Sequence, residues 1–180
     1  ASNMDVSPAG ANGNGGTVNI TASNSSGTGT LTLSTTINAA GTGTGNGGIV
    51  NLTNNSSQTI VVDQPINVAA GTTGNGGQVN VRNHGNGAAN GGINVTTVLS
   101  ANAAGNGNGG QIVLDACPAA GVAGNVNIGV TPFNANGAGN GNGGLIDIKG
   151  ASITASAPGA ISLTANAGTV GTGGTINLTA

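Results

Sequence analysis

Gly45-Asn46-Gly47-Gly48 runs into Ile49-Val50-Asn51-Leu52-Thr53, and the reading of this unit decides the fold. The first half is a corner. The second half alternates, with Val50 and Leu52 on one side and Ile49, Asn51 and Thr53 on the other, as in a strand whose successive side chains point to opposite faces. The unit recurs along the chain. Gly13 to Gly16 leads into Thr17-Val18-Asn19-Ile20-Thr21, and Gly74 to Gly77 into Gln78-Val79-Asn80-Val81-Arg82. Gly107 to Gly110 leads into Gln111-Ile112-Val113-Leu114-Asp115, Gly141 to Gly144 into Leu145-Ile146-Asp147-Ile148-Lys149, and Gly171 to Gly174 into Thr175-Ile176-Asn177-Leu178-Thr179. The last glycines stand at 16, 48, 77, 110, 144 and 174, so the steps are 32, 29, 33, 34 and 30 residues. A period in this range signals a repeat architecture.

Two more registers accompany the corner. Eleven residues before its last glycine stand Ile37, Ile66, Leu99, Phe133 and Leu163, and nine before it Ala39, Val68, Ala101, Ala135 and Ala165. The residues between them, Asn38, Asn67, Ser100, Asn134 and Thr164, are polar and are expected to face out. A third strand is looser in phase: Leu31/Leu33, Ile60/Val62, Ile93/Val95, Val126/Ile128 and Ile153/Ala155. Three short strands and three corners per turn predict an all-β, right-handed parallel β-helix of about six coils of roughly 30 residues. The hand follows from the usual crossover preference. Coils ~4.8 Å apart would make a rod about 30 Å long. Residues 1–180 form a single domain in this reading, with 1–12 a partial N-terminal coil and 13–180 the repeats. The corner glycines are expected to adopt positive φ, and the corner asparagines to adopt left-handed geometry and bond coil to coil in an amide ladder.

Composition narrows the function. The chain has 37 Gly, one Phe, no Trp or Tyr, 3% charged residues and a net charge of −2. Its only cations, Arg82 and Lys149, cannot neutralise a row of phosphates, which argues against nucleic acid and against a polybasic membrane patch. No stretch approaches the ~20 apolar residues that cross a bilayer. The start, Ala1-Ser2-Asn3, is compatible with a mature N-terminus after leader cleavage. Cys117, alone, makes no internal disulfide and no zinc site. It reads as an idle or buried thiol, with an intermolecular disulfide as the alternative.

The repeat unit resembles the solenoid repeats of filamentous haemagglutinin-type exoproteins. The resemblance rests on Gly13 to Thr21, Thr30 to Ser34 and Ile37 to Gly41, and extends from about Gly13 to Ala180. It implies a protein secreted to the bacterial surface or beyond, used for adhesion or extracellular assembly.

Little in the chain points to catalysis, and the expectation is a non-enzyme without cofactor or metal. The acids are Asp5, Asp63, Asp115 and Asp147. Arg82, Asp115 and Lys149 each follow their corner by the same interval and are expected to stack as an outward charge ladder, worth ~1 kcal/mol or less per pair. Asp147 on the same face could approach Asp115 diagonally, which makes the best enzyme-like grouping available. His84 has no Cys, Asp or Glu beside it, and the corners lack the aspartate of calcium-binding solenoid repeats. The Gly-x-Gly runs precede strands, whereas phosphate loops precede helices.

Three functions remain. The chain ends read as open coils, with Met4 and Val6 at one end and Ile176 and Leu178 at the other. Uncapped strands are a template for another chain, and head-to-tail addition of such ends gives a filament. A self-stacking subunit of an extracellular fibre or surface assembly is therefore the leading expectation. The alternatives are a shaft segment of a bacterial adhesin, meeting a host surface, and an ice-binding face. The column Thr17, Ile49, Gln78, Gln111, Leu145, Thr175 is uneven for a lattice, and no aromatic platform is available for sugars because Phe133 is expected in the core.

Overall fold

The computed structural model describes residues 3–23, 29–85, 91–117, 122–129, 132–155 and 161–180; the leading Ala1-Ser2 lies outside them. Every described strand pairs in parallel with its equivalents in the adjoining coils. The pre-corner sheet is β1 (Met4–Asp5), β4 (Ile37–Asn38), β7 (Ile66–Asn67), β10 (Leu99–Ser100), β13 (Pro132–Asn134) and β16 (Ser162–Thr164). The post-corner sheet is β2 (Thr17–Ala22), β5 (Ile49–Asn54), β8 (Gln78–Asn83), β11 (Gln111–Asp115), β14 (Leu145–Lys149) and β17 (Thr175–Thr179). The third sheet is β3 (Leu31–Leu33), β6 (Ile60–Val62), β9 (Ile93–Val95), β12 (Val126–Ile128) and β15 (Ile153–Ala155). The protein is thus a parallel β-solenoid of five complete coils, followed by a last turn that contributes strands to two of the three sheets.

Register is the same at every step. Val50 stacks between Val18 and Val79, and Ile112 between Val79 and Ile146. Ile37, Ile66, Leu99 and Phe133 form a second apolar column, fully or almost fully buried. Ile60, Ile93 and Val126 form a third. Phe133 lies in the core as expected. The arc from pre-corner strand to post-corner strand is constant, from Ile37 to Ile49, Ile66 to Gln78, Leu99 to Gln111, Phe133 to Leu145 and Leu163 to Thr175. Only Met4 to Thr17 is longer, by one residue. Variation in coil length falls between the post-corner and pre-corner strands, where the loops absorb it.

The corner glycines correct one expectation. Positive φ occurs at Gly43, Gly85, Gly105 and Gly139, none of them within a Gly-Asn-Gly-Gly corner, and at no asparagine among the described residues. The corners need glycine for a different reason, the close approach of backbones. A Cβ on Gly76 would come within 3.0 Å of the Ala101 carbonyl and the Gly110 nitrogen in the next coil, and one on Gly77 would meet the Gly48 carbonyl in the coil before. The same contacts recur at Gly47 and Gly48.

The corner asparagines do bond from coil to coil, though not side chain to side chain. Backbone N–H groups of Asn46, Asn75, Asn108 and Asn142 each donate to Oδ1 of the corner asparagine one coil earlier, at 2.8 Å throughout. Thr172 N–H ends the series on Asn142 Oδ1 at 2.9 Å. At the corner the chain leaves the ladder direction, and the amide oxygen takes the N–H that the sheet cannot. Side-chain amide ladders stand on the strands instead: Asn80 Nδ2 donates to Asn51 Oδ1 (2.9 Å), and Asn51 Nδ2 to Asn19 Oδ1 (2.7 Å).

Two inward asparagines were not anticipated. Asn54 and Asn83, paired across β5 and β8, are almost completely buried. Asn83 Nδ2 donates to the carbonyls of Gln58 and Gly92, both at 2.8 Å, and Asn54 Nδ2 to Gln58 (2.9 Å) and Gly29 (3.3 Å). They satisfy loop carbonyls that burial would otherwise leave unpaired.

Two stability predictions follow. Ile112→Asp places an unpaired carboxylate between Val79 and Ile146, all three fully buried. Its cost of several kcal/mol is of the order of a domain's whole stability, so loss of the β-sheet circular dichroism signal at room temperature is expected. Gly76→Ala should destabilise by about 3 kcal/mol or more in thermal melts, because overpacking here meets backbone rather than a movable side chain. Gly10→Ala, whose Cβ would meet only the Asn12 carbonyl at 4.0 Å, should melt with the parent.

Candidate functional site

The outward charge column forms in register: Arg82 pairs with Asp115, and Asp115 with Lys149, as neighbours on β8, β11 and β14. The ion pair, however, runs along a strand. Lys149 Nζ lies 2.9 Å from Asp147 Oδ2, the carboxylate two residues before it on the same face, and it is the one salt bridge among the described residues. Asp115 Oδ1 instead accepts the Cys117 backbone N–H at 3.0 Å. Arg82, Asp115 and Lys149 are thus a stacked column, and the closed ion pair lies beside it, between Lys149 and Asp147.

Asp147 occupies the column of Asn19, Asn51 and Asn80, above Val113 and beneath Asn177. Val113 offers it no donor, and Asp147 Oδ1 is buried without a hydrogen-bond partner. The middle of this face is closely packed for an outward one: Asn80 and Val113 are 7% and 8% exposed. Asp147, Lys149, Asp115 and Arg82 thus form a small charged island on this face. Among the described residues, no three His, Cys, Asp or Glu side chains gather closely enough to share a metal ion. His84 is exposed, and its backbone N–H donates to the Asn54 carbonyl at 2.9 Å.

Cys117 is exposed and free rather than buried. Desolvation first, and then the Asp115 carboxylate, pushes its thiol above the ordinary value. The Asp147 hydrogen bond and charge raise Lys149. At the other end of the rod, Ser7 and then Asn38 hold the Asp5 carboxyl low: Ser7 donates through N–H (2.9 Å) and Oγ (2.6 Å), and Asn38 through Nδ2 (3.2 Å).

Surface concavities are shallow. The larger, about 430 Å³, follows the corner stack over residues 76–78, 109–111 and 143–145 and is floored by glycine backbone. A second of about 290 Å³ lies by Thr59, Asn94, Asn125 and Asn127. No helix of the described residues is long and apolar enough to cross a membrane.

All five residues of β17 are exposed. Ile176 and Leu178 are 43% and 56% exposed, whereas Ile146 and Ile148, directly beneath them, are fully buried. Thr175 N–H donates down to the Gly144 carbonyl and the Thr179 carbonyl accepts from Gly150 below. In a parallel ladder the residues between, Ile176 and Leu178, then turn their N–H and C=O to the open side. At the opposite end Met4 and Val6 are half-buried and pack against the core. Met4 and Val6 thus lie in the first coil and Ile176 and Leu178 on β17, with the larger apolar exposure at β17.

The titrations predict the alkaline behaviour. Both raised groups favour the folded state while protonated, so their contributions are complete below the unfolded values, 9.0 for Cys117 and 10.5 for Lys149, and vanish as pH climbs through the higher folded values. The melting temperature should begin to fall above pH 9.0. Cys117→Ser should delay that onset toward pH 10.5, in melts recorded at stepped pH.

No family model, curated protein or solved structure matches this chain.

Proposed function

We propose that the chain is a non-enzymatic, secreted structural protein: a β-solenoid subunit of an extracellular fibre or surface assembly that lengthens by head-to-tail stacking of its coil ends. The observation that carries this reading is the uniform register of the apolar columns, in which Ile146 and Ile148 stack on Ile112 and Leu114 and all four are fully buried, a contact that one copy can repeat on another. Burying such a residue favours an added coil by roughly 1.5–3 kcal/mol per fully buried side chain. With 3% charged residues, the chain raises little electrostatic resistance to its own association.

The resemblance of the repeats to filamentous haemagglutinin-type exoproteins supports the extracellular placement. It also supports the second reading, a shaft segment of an adhesin, in which the same rod serves as a spacer. The outward columns favour neither a sugar nor an ice surface: Thr17, Ile49, Gln78, Gln111, Leu145 and Thr175 share no common side chain.

Negative-stain electron microscopy of the 180-residue chain over a range of concentrations tests the stacking reading. Unbranched threads a few nanometres wide, growing with concentration, are expected. Short particles of uniform length at every concentration would overturn it.

A further inference from the structure

Asparagine followed by glycine is the pair most prone to lose its amide, because no side chain on the glycine hinders its backbone nitrogen from closing on the asparagine Cγ. The corner motif multiplies that pair. Eleven Asn-Gly pairs stand in the chain; Asn86 and Asn90 lie outside the described residues, and the other nine pairs lie within them. Eight of those nine asparagines are exposed, so water reaches them. What separates them is how their reacting groups are held.

Cyclisation requires the amide carbon to swing toward the glycine nitrogen and that nitrogen to give up its proton. In six pairs both groups are tied to the following coil. Asn46 shows the pattern: its Oδ1 accepts the Asn75 N–H at 2.8 Å, and Gly47 N–H donates to the Asn75 carbonyl at 2.9 Å. The same two bonds hold Asn14, Asn75, Asn108, Asn136 and Asn142. Asn12 and Asn106 are held through Oδ1, by the N–H groups of Thr44 and Asn140, both at 3.1 Å. Asn140 differs. Among the described residues nothing bonds to its side chain, and only its backbone N–H is engaged, on Asn106. Its equivalent in the following coil is Val170, whose N–H turns to the Gly139 carbonyl at 3.3 Å and whose side chain has no polar atom. The neighbouring Gly141 N–H stays within its own turn, on the Ala138 carbonyl at 2.8 Å.

We infer that Asn140 is a modification site, at which the folded chain deamidates spontaneously, while coil-to-coil bonding protects the other eight described Asn-Gly pairs. The Gly141 nitrogen attacks Asn140 Cγ. A C–N bond forms, the Cγ–Nδ2 bond breaks, and ammonia leaves with the proton from Gly141. Water then opens the cyclic imide at either carbonyl, giving aspartate or isoaspartate, and water is the only co-reactant. Either product adds a negative charge to a chain whose net charge is −2. Isoaspartate also lengthens the backbone by a methylene between Asn140 and Gly141. The turn has no slack for it, because Gly141 N–H is held by Ala138 and even a Cβ on Gly141 would meet the Gly107 carbonyl in the coil before. The modified chain therefore stacks less well at this corner. The corner asparagines acquire a second role, in that the bonds joining the coils also preserve the residues that make them.

The test incubates the full 180-residue chain in heavy-oxygen water at mildly alkaline pH, once folded and once in denaturant, and maps by mass spectrometry which asparagines take up solvent oxygen. In the folded chain Asn140 should be labelled about tenfold faster or more than each of the other eight, one decade of rate per ~1.4 kcal/mol of added barrier. In denaturant the nine rates should converge, because each pair then has the same local chemistry and no coil above it. Asn140→Gln, which needs a larger ring to cyclise, should melt with the parent and lose the fast product. A held corner asparagine such as Asn46 labelled as fast as Asn140 in the folded chain would overturn the inference. So would a folded order of rates that persists in denaturant, since local sequence and not the stack would then set it.

Discussion

Each residue in this solenoid stacks on its equivalent in the next coil, one strand spacing away, and that distance of ~4.8 Å governs what each position accepts. On the strands the spacing suits aliphatic side chains, which pile into continuous columns and exclude water without needing bulk. At the corners the same spacing brings backbone onto backbone. There a methyl group is already too large, which is why Gly47, Gly48, Gly76 and Gly77 are glycines although none has positive φ. Composition and architecture are two expressions of one repeat distance.

The constraint also dictates how polar groups are satisfied. In a parallel stack the partner nearest to an outward polar group is its own equivalent one coil away, which asks for a residue that both donates and accepts. Asparagine meets this requirement twice, through its oxygen to the next backbone N–H at the corners and through its amide to the next asparagine on β2, β5 and β8. Where the series breaks, the cost is visible. Val113 interrupts the asparagine column, and the carboxylate of Asp147 above it keeps one buried oxygen unpaired while the other holds Lys149.

A stack built this way has no natural end. The interface between coils is also the interface offered to any further coil, so its outermost member displays core residues and unpaired backbone together. Ile176 and Leu178 continue the columns of Ile146 and Ile148. The stacking reading takes this repeatable coil face as the working part of the molecule, in contrast to the shallowly contoured sides of the rod.

Period, strand registers and inward columns were legible from the sequence, because alternation and the corner unit are local and repeat often enough to phase one another. The inward asparagines were within reach as well: carrying the alternation of Val50 and Leu52 one step further lands on Asn54, and that of Val79 and Val81 on Asn83. Other features needed the third dimension. That the corner glycines serve close approach rather than positive φ depends on where the next coil lies. That Lys149 pairs with Asp147 rather than Asp115 depends on side-chain placement, which the strand register leaves open. The steric demand on the corner glycines is invisible in a sequence that repeats its corner unchanged, because it belongs to the neighbour across the gap and not to the residue that bears it.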